Sequence, residues 1–83
     1  MQPEQAFGEV LRELRLQRGL SQEQLALEAG LQRNYVSLLE RGHNSASIKT
    51  LFKLSTVLGV SVSAMIRSVE QKTAASSRRS QGI

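Results

Sequence analysis

Apolar residues recur at helical spacing in five segments of the chain, and short polar or glycine-containing stretches separate these segments. The first segment, about residues 3–18, has the i, i+3, i+4, i+7 pattern of a helix with one buried face. Its apolar stripe consists of Phe7, Val10, Leu11 and Leu14. Pro3 suits the first turn, where backbone N–H groups have no acceptor within the helix. The pattern predicts a helix that packs on the rest of a domain.

The second and third segments, about residues 22–29 and 32–40, lie on either side of Gly30. Ser21 followed three positions later by Gln24 is a capping box, which is typical of a helix start. Gly30 indicates that the chain leaves this helix through a left-handed conformation. Apolar residues occupy one face of each segment: Leu25, Ala26, Ala29, Leu31, Val36 and Leu39. The sequence therefore predicts two helices that cross at a steep angle around a tight turn.

A polar loop over residues 41–46 precedes a fourth predicted helix at about residues 48–58. Ser47 is expected to cap its first turn, and Gly59 is expected to end it. The residues predicted to point inward from this helix are Ile48, Leu51, Leu54 and Leu58. No segment has the alternating pattern of a strand, so the sequence predicts an all-α domain.

A short fifth helix is predicted after Ser61, and it has more apolar residues than one buried face needs. These residues either complete the core of a monomer or form the two-fold interface of a homodimer. Because a small domain buries only about 60% of the surface of its unfolded chain, we favour the dimer. The predicted interface residues are Val62, Met65, Ile66 and Val69. Residues 1–70 are predicted to form the domain, and the polar, basic residues 71–83 are predicted to be a disordered tail.

Composition narrows the possible functions. Eleven Lys and Arg residues against seven acidic residues give the 83-residue chain a net charge of +4, which favours a polyanionic partner. The absence of cysteine and the single histidine exclude disulfides and zinc fingers, so we expect neither a metal site nor a cofactor. Without a run of about 20 apolar residues or a signal-peptide core, we expect a cytoplasmic protein with no membrane association.

An enzymatic function is not expected from this set of residues. One histidine and scattered glutamates do not supply a nucleophile with its base, a pair of carboxylates in a cleft, or a phosphate-binding loop. No second segment is available as an effector domain, so a small-molecule ligand is not expected either. A binding protein is the class that remains.

The segment from Ser21 to Gly42 resembles the helix-turn-helix of the phage repressor, Cro and Xre family of bacterial regulators. That family prefers alanine, glycine and a β-branched residue at the positions of Ala26, Gly30 and Val36. The sequence Glu-Arg-Gly at residues 40–42 is also common in this family. The resemblance extends from about Phe7 to Ile66, and it includes small restriction–modification controller proteins. It implies a five-helix, lambda-repressor-like domain that regulates transcription, with repression as the default, and binds a palindromic site on double-stranded DNA as a homodimer.

The third predicted helix carries the residues expected to read bases: Gln32, Arg33, Asn34 and Ser37. An α-helix fits the major groove of DNA, and its N-terminal residues reach the base edges. Arg33 can donate two hydrogen bonds to guanine, and Asn34 or Gln32 can pair with adenine. Ser37 can reach a base or a phosphate. For each residue taken singly, a solvated polar helix face is the alternative.

A second set of residues is expected to contact phosphates. Gln22 opens the second helix, where free N–H groups and the helix dipole attract an anion, and the resemblance implies that this glutamine holds the DNA backbone. Arg41, His43 and Asn44 follow in the next loop. Tyr35 either contacts DNA, as the resemblance to controller proteins implies, or packs on the scaffold, and the sequence leaves both open.

The resemblance also implies a structural salt bridge between Arg15 and Glu40, which match positions that form a partly buried pair in phage repressors.

Two functions other than transcriptional regulation remain open. The chain could be an antitoxin, which binds its operon and neutralises a toxin through another surface. It could also be a protein-interaction module that keeps the fold without binding DNA, although such a module would be expected to lack residues such as Arg33 and Asn34.

Overall fold

The structure is a computed structural model that describes the backbone of residues 1–81 and the side chains of residues 1–74. The described part of the chain folds into five α-helices and contains no strand. These helices are α1 (Pro3–Gln17), α2 (Gln22–Ala29), α3 (Arg33–Glu40), α4 (Ile48–Leu58) and α5 (Val62–Gln81). The prediction of an all-α, five-helix domain is confirmed.

The local signals at the helix ends act as the sequence predicts. The Ser21 hydroxyl accepts a hydrogen bond from the Gln24 backbone N–H at 3.0 Å, and the Ser21 N–H donates to the Gln24 side chain at 2.8 Å. Ser47 caps α4 by accepting from the Thr50 N–H at 3.1 Å. Gly30, with φ of +68°, leaves α2 in the left-handed conformation. These residues fix the turn between α2 and α3 and the start of α4.

A single hydrophobic core draws side chains from all five helices. In it α1 packs on α3 and α5, while α2 packs on α3 and α4. The largest fully buried side chains are Leu11, Leu25, Leu39, Leu54, Met65, Val10 and Val36. Because α2 and α3 are both anchored in this core, the outer face of α3 has a fixed orientation relative to the domain.

Gly8, in the middle of α1, lies where the backbone of α1 closely approaches that of α3. A Cβ atom at this position would lie 2.5 Å from the carbonyl oxygens of both Leu39 and Glu40. Only glycine therefore lets α1 reach the last turn of α3. The sequence pattern did not single out this residue, because nothing in its neighbourhood along the chain indicates a distant contact.

The predicted dimer interface on α5 needs correction. Met65 and Val69 are 1% and 8% exposed and belong to the core of the monomer. They lie four residues apart on the face that α5 turns toward the interior, since α5 packs along α1. Of the four predicted residues, Ile66 alone is exposed, and Val62 is partly buried. Completion of the core, the alternative weighed from the sequence, accounts for Met65 and Val69.

The apolar face of α4 is also rotated from the predicted one. Leu54 and Leu58 are buried as expected, but Ile48 is 73% exposed. The buried stripe follows the spacing of Thr50, Leu54 and Leu58, and Ile48 lies off that line. Phe52, four residues after Ile48, is 60% exposed. These two side chains form an apolar strip on the outside of the domain.

Helix α5 is longer than the sequence predicts. The predicted disordered tail begins at residue 71, but the helix continues through residues 71–81. In this extension Lys72 contacts Glu13 at 3.0 Å and Glu9 at 3.4 Å, both on α1. Residues 82–83 lie outside the described part, so a disordered tail stays a prediction for them.

No single helix among the described residues is long and apolar enough to cross a membrane. Helix α4 and the beginning of α5 reach that length and composition only as a pair, and the two meet at an angle of 104°.

Candidate nucleic-acid interface

Four polar side chains from α2 and α3 line one shallow depression of about 320 Å³ on the surface: Gln22, Arg33, Asn34 and Ser37. Arg33 and Asn34 are exposed in the first turn of α3, and Ser37 follows one turn after Arg33. Gln22 is the first residue of α2. The steep turn at Gly30 therefore brings together three of the residues predicted to read bases and one predicted to contact phosphate.

Gln32 lies just outside this set. It is the N-cap residue of α3 rather than part of the helix, with an extended backbone at φ −84° and ψ 142°. Its side chain is exposed and makes no capping hydrogen bond to the first turn. Gln32 therefore stands beside Arg33 at the exposed end of α3, although it does not line the depression.

An ion pair between Arg15 and Glu40 is linked to the depression through Gln22. Arg15 donates from Nε to Glu40 Oε2 at 2.6 Å and from Nη2 to Glu40 Oε1 at 3.0 Å. Its Nη1 donates to the carbonyl oxygen of Leu20 at 2.9 Å. The hydrogen bond to Glu40 raises the pKa of the Arg15 guanidinium above its ordinary value, although burial alone would lower it. The salt bridge implied by the family resemblance is thus present, and it joins the end of α1 to the end of α3.

Gln22 is part of the same hydrogen-bond network. Its side-chain Nε2 donates to Glu40 Oε1 at 3.0 Å. The Glu40 side chain is only 3% exposed, so three donor groups of two residues surround a nearly buried carboxylate. The sequence did not reveal the contact of Gln22 with Glu40, because eighteen positions separate the two residues.

The structure shows Tyr35 in the scaffold position. Its ring is partly buried against the core, and its hydroxyl lies 3.5 Å from the Thr50 hydroxyl. Thr50 is buried in the first turn of α4, where its backbone N–H donates to Ser47. Tyr35 therefore connects α3 with the start of α4. A contact of Tyr35 with phosphate stays a prediction.

The remaining predicted phosphate contacts lie on the loop after α3. Arg41, His43 and Asn44 are all exposed, and none of them lines the depression. The loop leaves α3 through Gly42, whose φ is +75°, and the His43 N–H donates to the carbonyl oxygen of Leu38 at 3.0 Å. Asn44 borders a different, mostly apolar groove beside α1.

Comparisons with known proteins agree with this geometry. The family described as helix-turn-helix (HTH_3) matches residues 11–64. The control protein C.BamHI of Bacillus amyloliquefaciens is 44% identical over 55 residues, which are 65% of this chain and 68% of that protein. The restriction-modification controller protein C.AhdI of Aeromonas hydrophila has a similar crystal structure, with a TM-score of 0.71 and 42% identity over 80% of this chain and 94% of its own. The biofilm regulator SinR, solved in complex with DNA, has a TM-score of 0.70 and 36% identity over 72% of this chain and 97% of its own.

Fold, motif and relatives together define a DNA-binding regulator built on a helix-turn-helix of α2 and α3. The chain belongs to the helix-turn-helix family of Xre and Cro/C1 type, as its sequence pattern indicated.

Proposed function

We propose that this protein is a sequence-specific transcriptional regulator, with repression as the default mechanism, and that it reads the major groove with α3 as a homodimer in the cytoplasm. The observation that carries this proposal is the shared depression lined by Gln22, Arg33, Asn34 and Ser37. It groups side chains suited to bases with one suited to phosphate, on an exposed helix end. The relative SinR, solved with DNA, supports the same partner.

In this proposal the first turn of α3 supplies the sequence readout. Arg33 is exposed and has the donors for guanine O6 and N7, while the Asn34 or Gln32 amide matches adenine N6 and N7. Ser37 reaches a base or a phosphate one turn further along the helix. Each good bidentate contact contributes about 1–3 kcal/mol of discrimination against the wrong base.

Phosphate contacts would set the position of α3 in the groove. Gln22, which lines the same depression as Arg33, would take this role, and Arg41, His43 and Asn44 would extend the contacts along the exposed loop. Tyr35 would take part only if its hydroxyl left Thr50. Contacts of this kind carry no base information, so they position the protein on all sequences alike.

The homodimer needs apolar side chains outside the core, and α4 and α5 each expose some. Ile66 is 37% exposed on α5, and Ile48 and Phe52 are exposed on α4. A two-fold pairing of copies would set two recognition helices about 34 Å apart, one turn of DNA. The expected binding site is therefore a palindrome.

Selection of bound duplexes from a random DNA pool tests the proposal. The purified protein is incubated with the pool near physiological salt, and the bound duplexes are sequenced. Enrichment of a palindrome whose half-sites are centred about 10 bp apart is the expected result. Weak, salt-sensitive binding with no enriched sequence would contradict it and would favour the interaction module.

A matched pair of variants tests the role of α3 on the selected duplex. Arg33→Ala should weaken specific binding and relax the preference at one base pair in each half-site. Arg12→Ala removes the same charge from α1, where Arg12 lies beside Glu9 and Glu13 in another depression. It should leave the base preference unchanged. If Arg33→Ala and Arg12→Ala lowered the affinity by the same factor, and did so equally on specific and random duplexes, direct readout by Arg33 would be refuted.

A further inference from the structure

The Glu40 carboxylate connects two residues with different roles. On one side it forms the ion pair with Arg15, through bonds of 2.6 and 3.0 Å. On the other side its Oε1 accepts a hydrogen bond from Gln22 Nε2 at 3.0 Å, at the edge of the depression. Glu40 ends α3, Gln22 begins α2 and Arg15 lies in the last turn of α1. One carboxylate therefore fixes the relative position of three helices and one interface side chain.

The chemistry of this contact determines which way the Gln22 amide faces. An ionised carboxylate only accepts hydrogen bonds, so the nitrogen of the amide must be directed at Glu40. The amide has two N–H groups, and Glu40 Oε1 receives one of them. The other N–H and the amide oxygen stay available at the depression.

The charge of Glu40 does not oppose the approach of a phosphate. Arg15 neutralises the carboxylate through two hydrogen bonds, and the Glu40 side chain is 3% exposed. A hydrogen-bonded glutamine also loses less conformational freedom on binding than a mobile one, since part of its rotamer entropy is already lost in the free protein.

We propose that Glu40 is a positioning residue for DNA binding, which holds the Gln22 carboxamide in the orientation that contacts DNA. This inference rests on the proposed function and adds to it: Glu40 itself touches no DNA, and its effect on affinity passes through Gln22. The ion pair with Arg15 stabilises the fold, and the hydrogen bond to Gln22 orients a side chain of the interface.

A double-mutant cycle on the selected duplex tests this coupling. Dissociation constants are measured for the wild type, Gln22→Ala, Glu40→Gln and the double variant, at a temperature where circular dichroism shows each to be folded. Gln22→Ala should weaken binding by about tenfold, the size of one hydrogen bond to a charged group. In the Glu40→Gln background the same change should cost less than about threefold, because the neutral amide keeps only one acceptor oxygen, for which Arg15 competes, and therefore holds Gln22 less firmly.

Glu28→Gln is the matched control, since Glu28 is an exposed glutamate of α2. In that background Gln22→Ala should keep its full effect. If Glu40 acted only on the stability of the fold, Gln22→Ala would lower DNA affinity by the same factor with and without Glu40. A loss of stability alone therefore does not produce the expected coupling. Two results would overturn the inference while the wild-type protein still binds its duplex. One is a decrease in affinity on Gln22→Ala by the same factor in the wild-type and Glu40→Gln backgrounds. The other is no decrease in affinity on Gln22→Ala. Failure of the wild type to bind any selected duplex would instead overturn the proposed function, and this inference with it.

A measurement on the unmodified protein keeps the inference testable if Glu40→Gln does not fold. NMR relaxation of side-chain amide groups in the absence of DNA reports their motion on the picosecond to nanosecond timescale. The Gln22 amide should be clearly more ordered than that of Gln17, an exposed glutamine at the end of α1. Equal mobility of the two amides would overturn the proposal.

Discussion

Replacement of Gly8 by alanine tests the close approach between the backbones of α1 and α3. The added Cβ would lie 2.5 Å from the carbonyl oxygens of Leu39 and Glu40 and 2.9 Å from the Glu40 carbonyl carbon. All three are backbone atoms, which cannot rotate away as the end of a side chain can. Helices α1 and α3 must therefore move apart, although the core on both sides of the contact is closely packed.

Two contributions of opposite sign set the size of the effect. Overpacking of this kind costs about 1–3 kcal/mol and occasionally more, and rigid backbone neighbours favour the upper end. Alanine in a helix gains about 1 kcal/mol over glycine. The expected net loss for Gly8→Ala is about 2 kcal/mol, which lowers the melting temperature of a domain of this size by about 8–16 °C.

Urea unfolding followed by circular dichroism measures this loss directly. Gly8→Ser, which adds one more atom at the same place, should be at least as destabilising. A Gly8→Ala variant as stable as the wild type, or more stable by the helix preference of alanine alone, would refute the close approach of α1 to α3.

Three further variants test separate features. Glu40→Ala leaves the charge of Arg15 without its partner and should cost about 3 kcal/mol, near the lower end for a buried pair, because the Leu20 carbonyl still accepts from Arg15; an unchanged melting temperature would contradict this. Gly30→Ala places a side chain at φ +68° in open space, so it should cost about 1–2 kcal/mol from the left-handed conformation alone, with Gly30→Asn costing less in the same urea titration. Lys72→Met should lower stability at pH 7 by less than about 1 kcal/mol. The hydrogen bond to Glu13 raises the pKa of Lys72, so this contribution is complete below about pH 10.4, the ordinary lysine value, and disappears as the pH rises through the higher folded value. A difference between wild type and Lys72→Met that grew as the pH rose above 7 would refute this assignment.

Features set by neighbouring residues along the chain were predictable from the sequence. The cap at Ser21, the left-handed turn at Gly30 and the cap at Ser47 each depend on atoms within four positions, and each is present in the structure. The same local signals, read together with the family resemblance, placed Arg33 and Gln22 in one surface region.

Features set by contacts between distant segments were not predictable in the same way. Met65 and Val69 have the apolar character of either a core or an interface, and only the packing of α5 along α1 assigns them to the core. Polar, small residues after position 70 indicate disorder. In the structure, however, Lys72 contacts carboxylates on α1 that are some sixty positions away along the chain. Gly8 likewise depends on the end of α3, which its own neighbours do not reveal.

The two hydrogen bonds between Arg15 and Leu20 have a consequence for how the domain opens. The Leu20 N–H donates to the Arg15 carbonyl oxygen at 3.1 Å, and the Arg15 guanidinium donates back to the Leu20 carbonyl oxygen at 2.9 Å. Fraying of α1 that reaches Arg15 would break these bonds together with those to Glu40, and it would expose the Glu40 carboxylate. We therefore expect local unfolding of the connection between α1 and α2 to accompany loss of the α3 anchor, so that α3 and its support open as one cooperative unit.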